Sequence, residues 1–218
     1  GIGLELARRL VIEGEQVTAS LRAGSRRVDL EAALALAGDK ARIIEFDTRD
    51  EAQIRAAAAE VQEPIDVLMI NAGAYGPQRQ STLEMDFPAA LDLLSTNALG
   101  PLRVAQAFLP QVRRGAHPRI IFMSSVLGSM ALSGTFNVAY RASKAALNKI
   151  AQCVAEDLRT EGIIVLSLHP GWVRTDMGGP NATLSVAESV DAIIPLVRGL
   201  SETDTRRYLD YRGVDIAW

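Results

Sequence analysis

Tyr140 and Lys144 stand four residues apart at the head of a long amphipathic stretch, residues 140–158, and residues at that spacing share one helix face. Their phenol and ammonium therefore point to one place. A phenol with a pKa of about 10 is a poor acid-base group at neutral pH, but a nearby positive charge favours phenolate and lowers that pKa. Such a tyrosine can hand a proton to a carbonyl oxygen or take one from an alcohol. Ser124 and Ser125 end the apolar run RIIFMSS, 15 residues before Tyr140. Alternate strand residues face opposite ways, so only one of the two serines can face the pair.

The elements that must position these groups are legible in the pattern. Ile2, Leu6 and Leu10, with Gly3, Ala7 and Val11, fall at helical spacing, and Gly14 is a stop signal. Strands are expected over 16–22 and 41–47, with a helix over 28–37 between them. Thr48 and Glu51 have capping-box spacing, which predicts a helix from there to about Val61. Residues 65–70, IDVLMI, are a continuous apolar run, the signature of a parallel strand covered on both faces. Pro88 suits the first turn of a helix to about Thr96, and Gly100-Pro101 should break it beside Asn97 before it continues to Val112.

Strands over 119–125 and 163–171 flank the 140–158 helix. A second capping box, Ser185 and Glu188, opens a helix to Arg198, and a last strand is expected over 207–209. Strands alternating with helices, without repeats, linkers or composition shifts, predict an α/β fold: one doubly wound parallel sheet forming a single domain over residues 1–218. Ligands in such folds bind at the carboxyl ends of strands, where Ser125 lies.

Composition narrows the partners. With 23 Lys+Arg against 26 Asp+Glu, no broad basic field exists for nucleic acid or anionic lipid. The single cysteine, Cys153, excludes an intramolecular disulfide and favours a reducing, cytoplasmic setting. Placed mid-helix, it is expected to be a buried small apolar residue. Two histidines are too few for a metal cluster, and no apolar run approaches the roughly 20 residues of a membrane span.

GIG at the start, NAG at 71–73, SSVLGS, AYRASKAALN and HPGWVRTDMGG stand in the order and at the approximate spacings of one family. The chain resembles the short-chain dehydrogenase/reductases, and in YRASKAALN, HPGWVRTDMGG and YLDYRGVDIAW it is most similar to the C-factor and sniffer-type carbonyl reductases. The resemblance implies a Rossmann fold with Tyr140 as acid or base. Lys144 would hold the nicotinamide ribose and depress the phenol pKa, and Ser125, rather than Ser124, would bond the substrate oxygen. Asn97 would hold a water linking Lys144 to solvent, which suits a helix break that frees backbone groups.

It further implies cofactor contacts from Gly1, Ile2 and Gly3, from Asp47 and Thr48 beside the adenine, from Asn71, Ala72 and Gly73 beside the ribose, and from Pro170, Val173 and Thr175 along the nicotinamide. Asp or Glu about 20 residues after the glycine motif marks NAD, whereas a cation there marks NADP. Residues 16–22 contain no acid and end in Arg22, so NADP(H) is predicted, with the guanidinium on the 2'-phosphate and Ser25, Arg26 and Arg27 nearby. His169, adjacent to this segment, is expected to be structural.

The resulting expectation is an NADPH-dependent carbonyl reductase acting on a small aldehyde or ketone, assembled as a homodimer or homotetramer through helices near 100–113 and 140–158. Its alternatives are an alcohol dehydrogenase working in the oxidative direction and a cofactor-binding regulatory protein. Residues 74–87, 126–139 and the glycine-paired 177–185 would shape the substrate pocket. The opening GIG reads as the end of the family's Thr-Gly-x-x-x-Gly-x-Gly phosphate loop. The chain is accordingly expected to belong to a longer protein, or to be a fragment with impaired cofactor binding, and a sheet in the order 3-2-1-4-5-6-7 without strand 1 would be split.

Overall fold

A computed structural model describes residues 1–218. Helix α1 (Ile2–Ile12) leads into β1 (Val17–Leu21), α2 (Arg27–Leu34), β2 (Ala41–Glu45), α3 (Glu51–Glu60) and β3 (Val67–Ile70). Then follow α4 (Phe87–Leu94), α5 (Gly100–Val112), β4 (Arg119–Met123), α6 (Val138–Leu158), β5 (Ile164–His169), α7 (Val186–Gly199) and β6 (Tyr208–Asp210). Every ladder is parallel. Hydrogen bonding runs through two sheets, β1–β2 and β3–β4–β5–β6, and no ladder joins β1 to β3. The sheet is thus split between β1 and β3, as expected.

The pleat of β4 and β5 explains the two helical layers. Ile120, Phe122 and Val165 point into a core with Ile54 and Ala57 of α3, Val104 and Phe108 of α5, and Leu147 and Ala151 of α6. Their strand neighbours Ile121, Met123, Leu166 and Leu168 point the other way, onto Leu6 of α1 and Val190, Ile193 and Val197 of α7. Alternation along two strands thus buries helices on both faces. Helix α1 serves two cores, because Leu6 joins the α7 layer while Ala7 and Val11 pack with Val17, Leu30 and Leu34.

Several boundaries differ from expectation for physical reasons. The start of α3 is capped by Asp50, whose Oδ1 accepts from the Gln53 N–H at 3.1 Å, so Thr48 is not the cap. Strand β3 is not covered on both faces: Val67 is 39% exposed, and β3 is bonded to β4 alone. Strand β1 buries only Val17. The Ser185–Glu188 capping box forms as predicted, with Glu188 N–H to Ser185 Oγ at 3.1 Å and Ser185 N–H to the Glu188 carboxylate at 2.7 Å. Cys153 is exposed rather than buried. The buried face of α6 runs through Ala151 and Ala155, and Cys153 lies two residues from each, on the opposite side.

Candidate active site

The break between α4 and α5 is a single π-helical turn, Ser95–Leu99, set just before Gly100-Pro101. Proline has no amide hydrogen, so Pro101 cannot serve the Asn97 carbonyl four residues back as an ordinary helix residue would. The Asn97 side chain is fully buried. Its Oδ1 accepts from Ala74 N–H at 2.8 Å, and its Nδ2 donates to Ala74 C=O at 2.8 Å and Ser143 Oγ at 3.0 Å. The side chain thus ties the NAG loop to α6, with one lone pair of Oδ1 not engaged. The Asn97 backbone carbonyl loses its ordinary helical donor at Pro101 and is a second place where a water could bind.

Helix α6 starts after Asn137 in left-handed backbone (φ 53°). Its exposed first-turn amides need acceptors, and Gln80 supplies one: Gln80 Oε1 accepts from Tyr140 N–H at 3.0 Å. Gln80 Nε2 donates to Tyr75 C=O at 3.2 Å and Pro77 C=O at 2.8 Å. The sequence reading missed this buried residue, which has no spacing signal of its own. Tyr140 is thereby fixed under the Tyr75 ring, at a centroid distance of 5.1 Å.

Lys144 lies one turn on and is buried, its Nζ donating to the Met123 carbonyl at 2.9 Å and standing 6.0 Å from the Tyr140 ring centre. Burial lowers its pKa to about 8. Burial also holds the Tyr140 phenol above its usual value, with the Ser125 hydroxyl opposing the shift. The expected depression of the phenol by Lys144 is thus not found: burial raises it, and the Ser125 hydroxyl is the group that opposes the rise. At neutral pH the phenol is protonated.

The two serines separate as strand alternation requires. Ser124 Oγ turns away from the site and donates to Asn148 Oδ1 at 2.6 Å. Ser125 caps a short 3-10 turn, its Oγ accepting from Leu127 N–H at 3.3 Å, and its hydroxyl influences Tyr140. The structure therefore brings Ser125, Tyr140, Lys144 and Asn97 together and excludes Ser124.

The residues assigned to a dinucleotide also converge, and glycines make this possible. A Cβ on Gly3 would stand 2.7 Å from Asn71 Nδ2, so any larger residue there would push the Asn71 amide aside at the exit of β3. A Cβ on Gly1 would lie 3.9 Å from the Thr175 methyl, and one on Gly73 would lie 3.4 Å from both Asn97 Oδ1 and Lys144 Nζ. No side chain caps α1 at Gly1, which leaves the first-turn amides around Ile2 and Gly3 available to an anion. Ala72, between Asn71 and Gly73, is exposed. Pro170 C=O accepts from Ser189 Oγ at 2.7 Å, Val173 is buried and bridged to Leu184, and Thr175 Oγ1 accepts from Gly178 N–H at 3.1 Å.

At the far end Arg22 is exposed and makes no ion pair, whereas Arg26 pairs with Asp29 at 3.3 Å and Arg27 with Glu31 at 2.9 Å. Asp47 is occupied by the Arg49 guanidinium, which holds its carboxyl down at about 2, with Arg22 contributing a weaker field. Thr48 packs where a Cβ on Gly100 would come within 3.0 Å, beside the π turn. Burial pushes His169 down to about 4 against the pull of Asp210, so it is neutral and no proton donor. No His, Cys, Asp or Glu cluster could hold a metal, and no helix is long and apolar enough to cross a membrane.

A doubly wound parallel sheet carrying a Ser, Tyr and Lys site beside a glycine-lined cradle defines a dinucleotide-dependent oxidoreductase. The family model for short chain dehydrogenase matches residues 1–183, and the chain belongs to that family. It is 42% identical over 169 residues to the C-signal of Myxococcus xanthus, covering 76% of this chain and 100% of that protein. The carbonyl reductase Sniffer of D. melanogaster superposes with a TM-score of 0.91 at 32% identity, over 100% of this chain and 94% of Sniffer. The NADPH-bound carbonyl reductase from chicken fatty liver gives a TM-score of 0.90 at 30% identity, over 100% and 90% of the two chains.

Proposed function

We propose that the protein is an NADP(H)-dependent carbonyl reductase acting on a small aldehyde or ketone. The observation that carries this reading is the buried, protonated phenol of Tyr140 with the Ser125 hydroxyl beside it. A phenol whose pKa is not lowered is protonated at neutral pH, the starting state for handing a proton to a carbonyl oxygen, whereas alcohol oxidation starts from phenolate. Ser125 would hydrogen-bond the carbonyl oxygen, and Tyr140 would deliver its proton there. The Lys144 ammonium, already turned inward, would hold the ribose and answer the charge left on Tyr140. Asn97 fixes the NAG loop against Ser143, and its freed carbonyl gives a water path for proton return.

The cradle fits a dinucleotide phosphate: unclaimed amides at Ile2 and Gly3, glycine contacts to Asn71 and Thr175, and the unpaired Arg22. The cofactor supplies the hydride; all the proton handling belongs to the chain's own groups. The NADPH-bound chicken carbonyl reductase supports the cofactor choice. Steady-state assays with NADPH and NADH against a panel of aldehydes and ketones, and with NADP+ and NAD+ against the corresponding alcohols, test the reading. Turnover with NADH alone overturns the role of Arg22, and turnover only of alcohols overturns the direction.

Likeness to the Myxococcus xanthus C-signal supports a second reading, a cofactor-binding signalling protein in which turnover is incidental. A biological effect that survives Tyr140→Phe would favour it. As an oligomer, the protein would use the α5 and α6 region; Phe87, Leu91 and Leu99, all exposed, supply apolar surface at the neighbouring α4 and π turn. Sedimentation velocity would show a monomer if this is wrong.

A further inference from the structure

The terminal motif YLDYRGVDIAW belongs to the fold but has no part in the chemistry so far. It forms a hairpin. Tyr208 joins β6 to β5 opposite Ser167, and Asp210 then reverses the chain by accepting from Arg212 N–H at 2.8 Å and Val214 N–H at 3.0 Å. The returning arm pairs Leu209 with Asp215 and sends Ile216 N–H to Tyr208 C=O at 2.7 Å. Bidentate contact of Arg207 with Asp215, at 2.9 and 2.8 Å, fastens the two arms.

This hairpin grips the segment that carries Ser125 at two points. The Tyr208 hydroxyl donates to the Ser125 carbonyl, and Ser129 Oγ donates to Ala217 C=O at 2.6 Å. Tyr208 itself is 1% exposed, with the Trp218 ring stacked at a tilt of 32° and 5.2 Å between centroids. The Ser125 carbonyl also accepts from Gly128 N–H at 2.7 Å, so both of its lone pairs are claimed and the peptide plane cannot turn. On the opposite side the turn rests on α6: a Cβ on Gly128 would lie 2.8 Å from the Lys144 carbonyl carbon, and Asn148 Nδ2 donates to Gly128 C=O at 3.3 Å.

We propose that Tyr208 is a positioning residue that sets the Ser125 hydroxyl against the Tyr140 phenol, and that the terminal hairpin exists in part to hold Tyr208 there. The inference rests on the carbonyl reductase reading of the site. Ser125 reaches substrate only through its side chain, whose direction follows from the backbone that Tyr208 pins. An error of about 1 Å in such placement can cost roughly a hundredfold in rate.

The test is a double-mutant cycle on the full chain with NADPH and 4-nitrobenzaldehyde as probe. Tyr208→Phe alone should lower kcat roughly ten- to a hundredfold, leaving KM for NADPH unchanged. In a Ser125→Ala background the same substitution should lower kcat no further. A merely structural tyrosine would instead multiply its loss onto Ser125→Ala, or change the folded fraction without changing kcat per folded molecule; either result overturns the proposal. If Tyr208→Phe does not fold, Trp218→Leu replaces it: a loss masked by Ser125→Ala supports the proposal, and an unmasked loss or none overturns it. Full turnover by Ser125→Ala would refute the site reading and this inference together, whereas an unmasked Tyr208→Phe loss refutes this inference alone.

Discussion

Lys144 gives its hydrogen bond to the carbonyl of Met123, the last residue of β4, at 2.9 Å. The bond draws an ammonium into a site with no opposing carboxylate, and burial alone lowers its pKa from 10.5 to about 8. Between those values the unfolded chain holds a proton that the folded chain has shed, so folding stability rises with pH across that window. Below about pH 8 the cost of the buried charge is present in full. Lys144→Met removes it, and the stability gained over wild type should shrink by up to about 3 kcal/mol as pH rises from about 8 to 10.5, at about 1.4 kcal/mol per unit. Denaturant unfolding at the two ends of the window measures it; an identical difference at both would contradict the burial argument.

Tyr140→Phe removes the proton donor and keeps the ring that packs on Tyr75. Turnover of carbonyl substrates should fall by roughly a factor of 10² to 10⁴, the usual worth of a general acid. Stability and NADPH binding should stay near wild type, as read by thermal unfolding and fluorescence titration. Loss of binding with turnover intact per bound cofactor would move the tyrosine out of the chemistry.

Arg22 is the unpaired cation at the end of β1. A charge-assisted bond to a 2'-phosphate is worth about 1.5–3 kcal/mol, so Arg22→Ser should raise KM for NADPH roughly ten- to a hundredfold and leave KM for NADH where it was. Because the side chain is exposed, the melting temperature should not move. Equal effects on both cofactors would remove Arg22 from the phosphate.

Gln80→Glu preserves an acceptor for Tyr140 N–H and turns the two bonds to Tyr75 and Pro77 carbonyls into repulsions. Leaving buried carbonyls unpaired costs about 1–3 kcal/mol each, which chemical denaturation would register. A carboxylate there would also raise the Tyr140 phenol further, shifting the pH at which the oxidative reaction gains activity upward. Unchanged stability and profile would mean that Gln80 does not anchor the head of α6.

The chemistry was legible where it is carried by local spacing. Tyr140 and Lys144 announce themselves four apart on a helix, and strand alternation alone required that one serine face away, which Ser124 does through Asn148. Gln80 was illegible because its burial comes from two loop carbonyls and one helix amide, contacts that no periodicity records. Thr48 misled because two overlapping cap patterns compete there. Asp50 with Gln53 won: Gln53 Nε2 also donates to Asp50 Oδ2 at 2.9 Å, and its Oε1 accepts from Asp47 N–H. The apolar run of β3 reports hydrophobicity but not neighbours, so its open flank at Val67 went unseen. The phenol's raised pKa was missed for a related reason, since sequence shows which charge is near and not how dry the site is.

Helix α1 has a consequence of another kind. With Leu6 in the large α7 layer and Ala7 and Val11 in a cluster of only five buried residues, it ties the body to a small outrigger of β1 and α2, while β2 belongs to both through Ile44, buried in the main core. The outrigger carries Arg22, while the body carries Tyr140 and Lys144. A ligand long enough to touch both would therefore do mechanical work as a strut, protecting the weaker part from local opening. Cofactor occupancy would then be written most strongly in amide exchange at Val17–Leu21, the strand farthest from the reacting atoms in chain and in role.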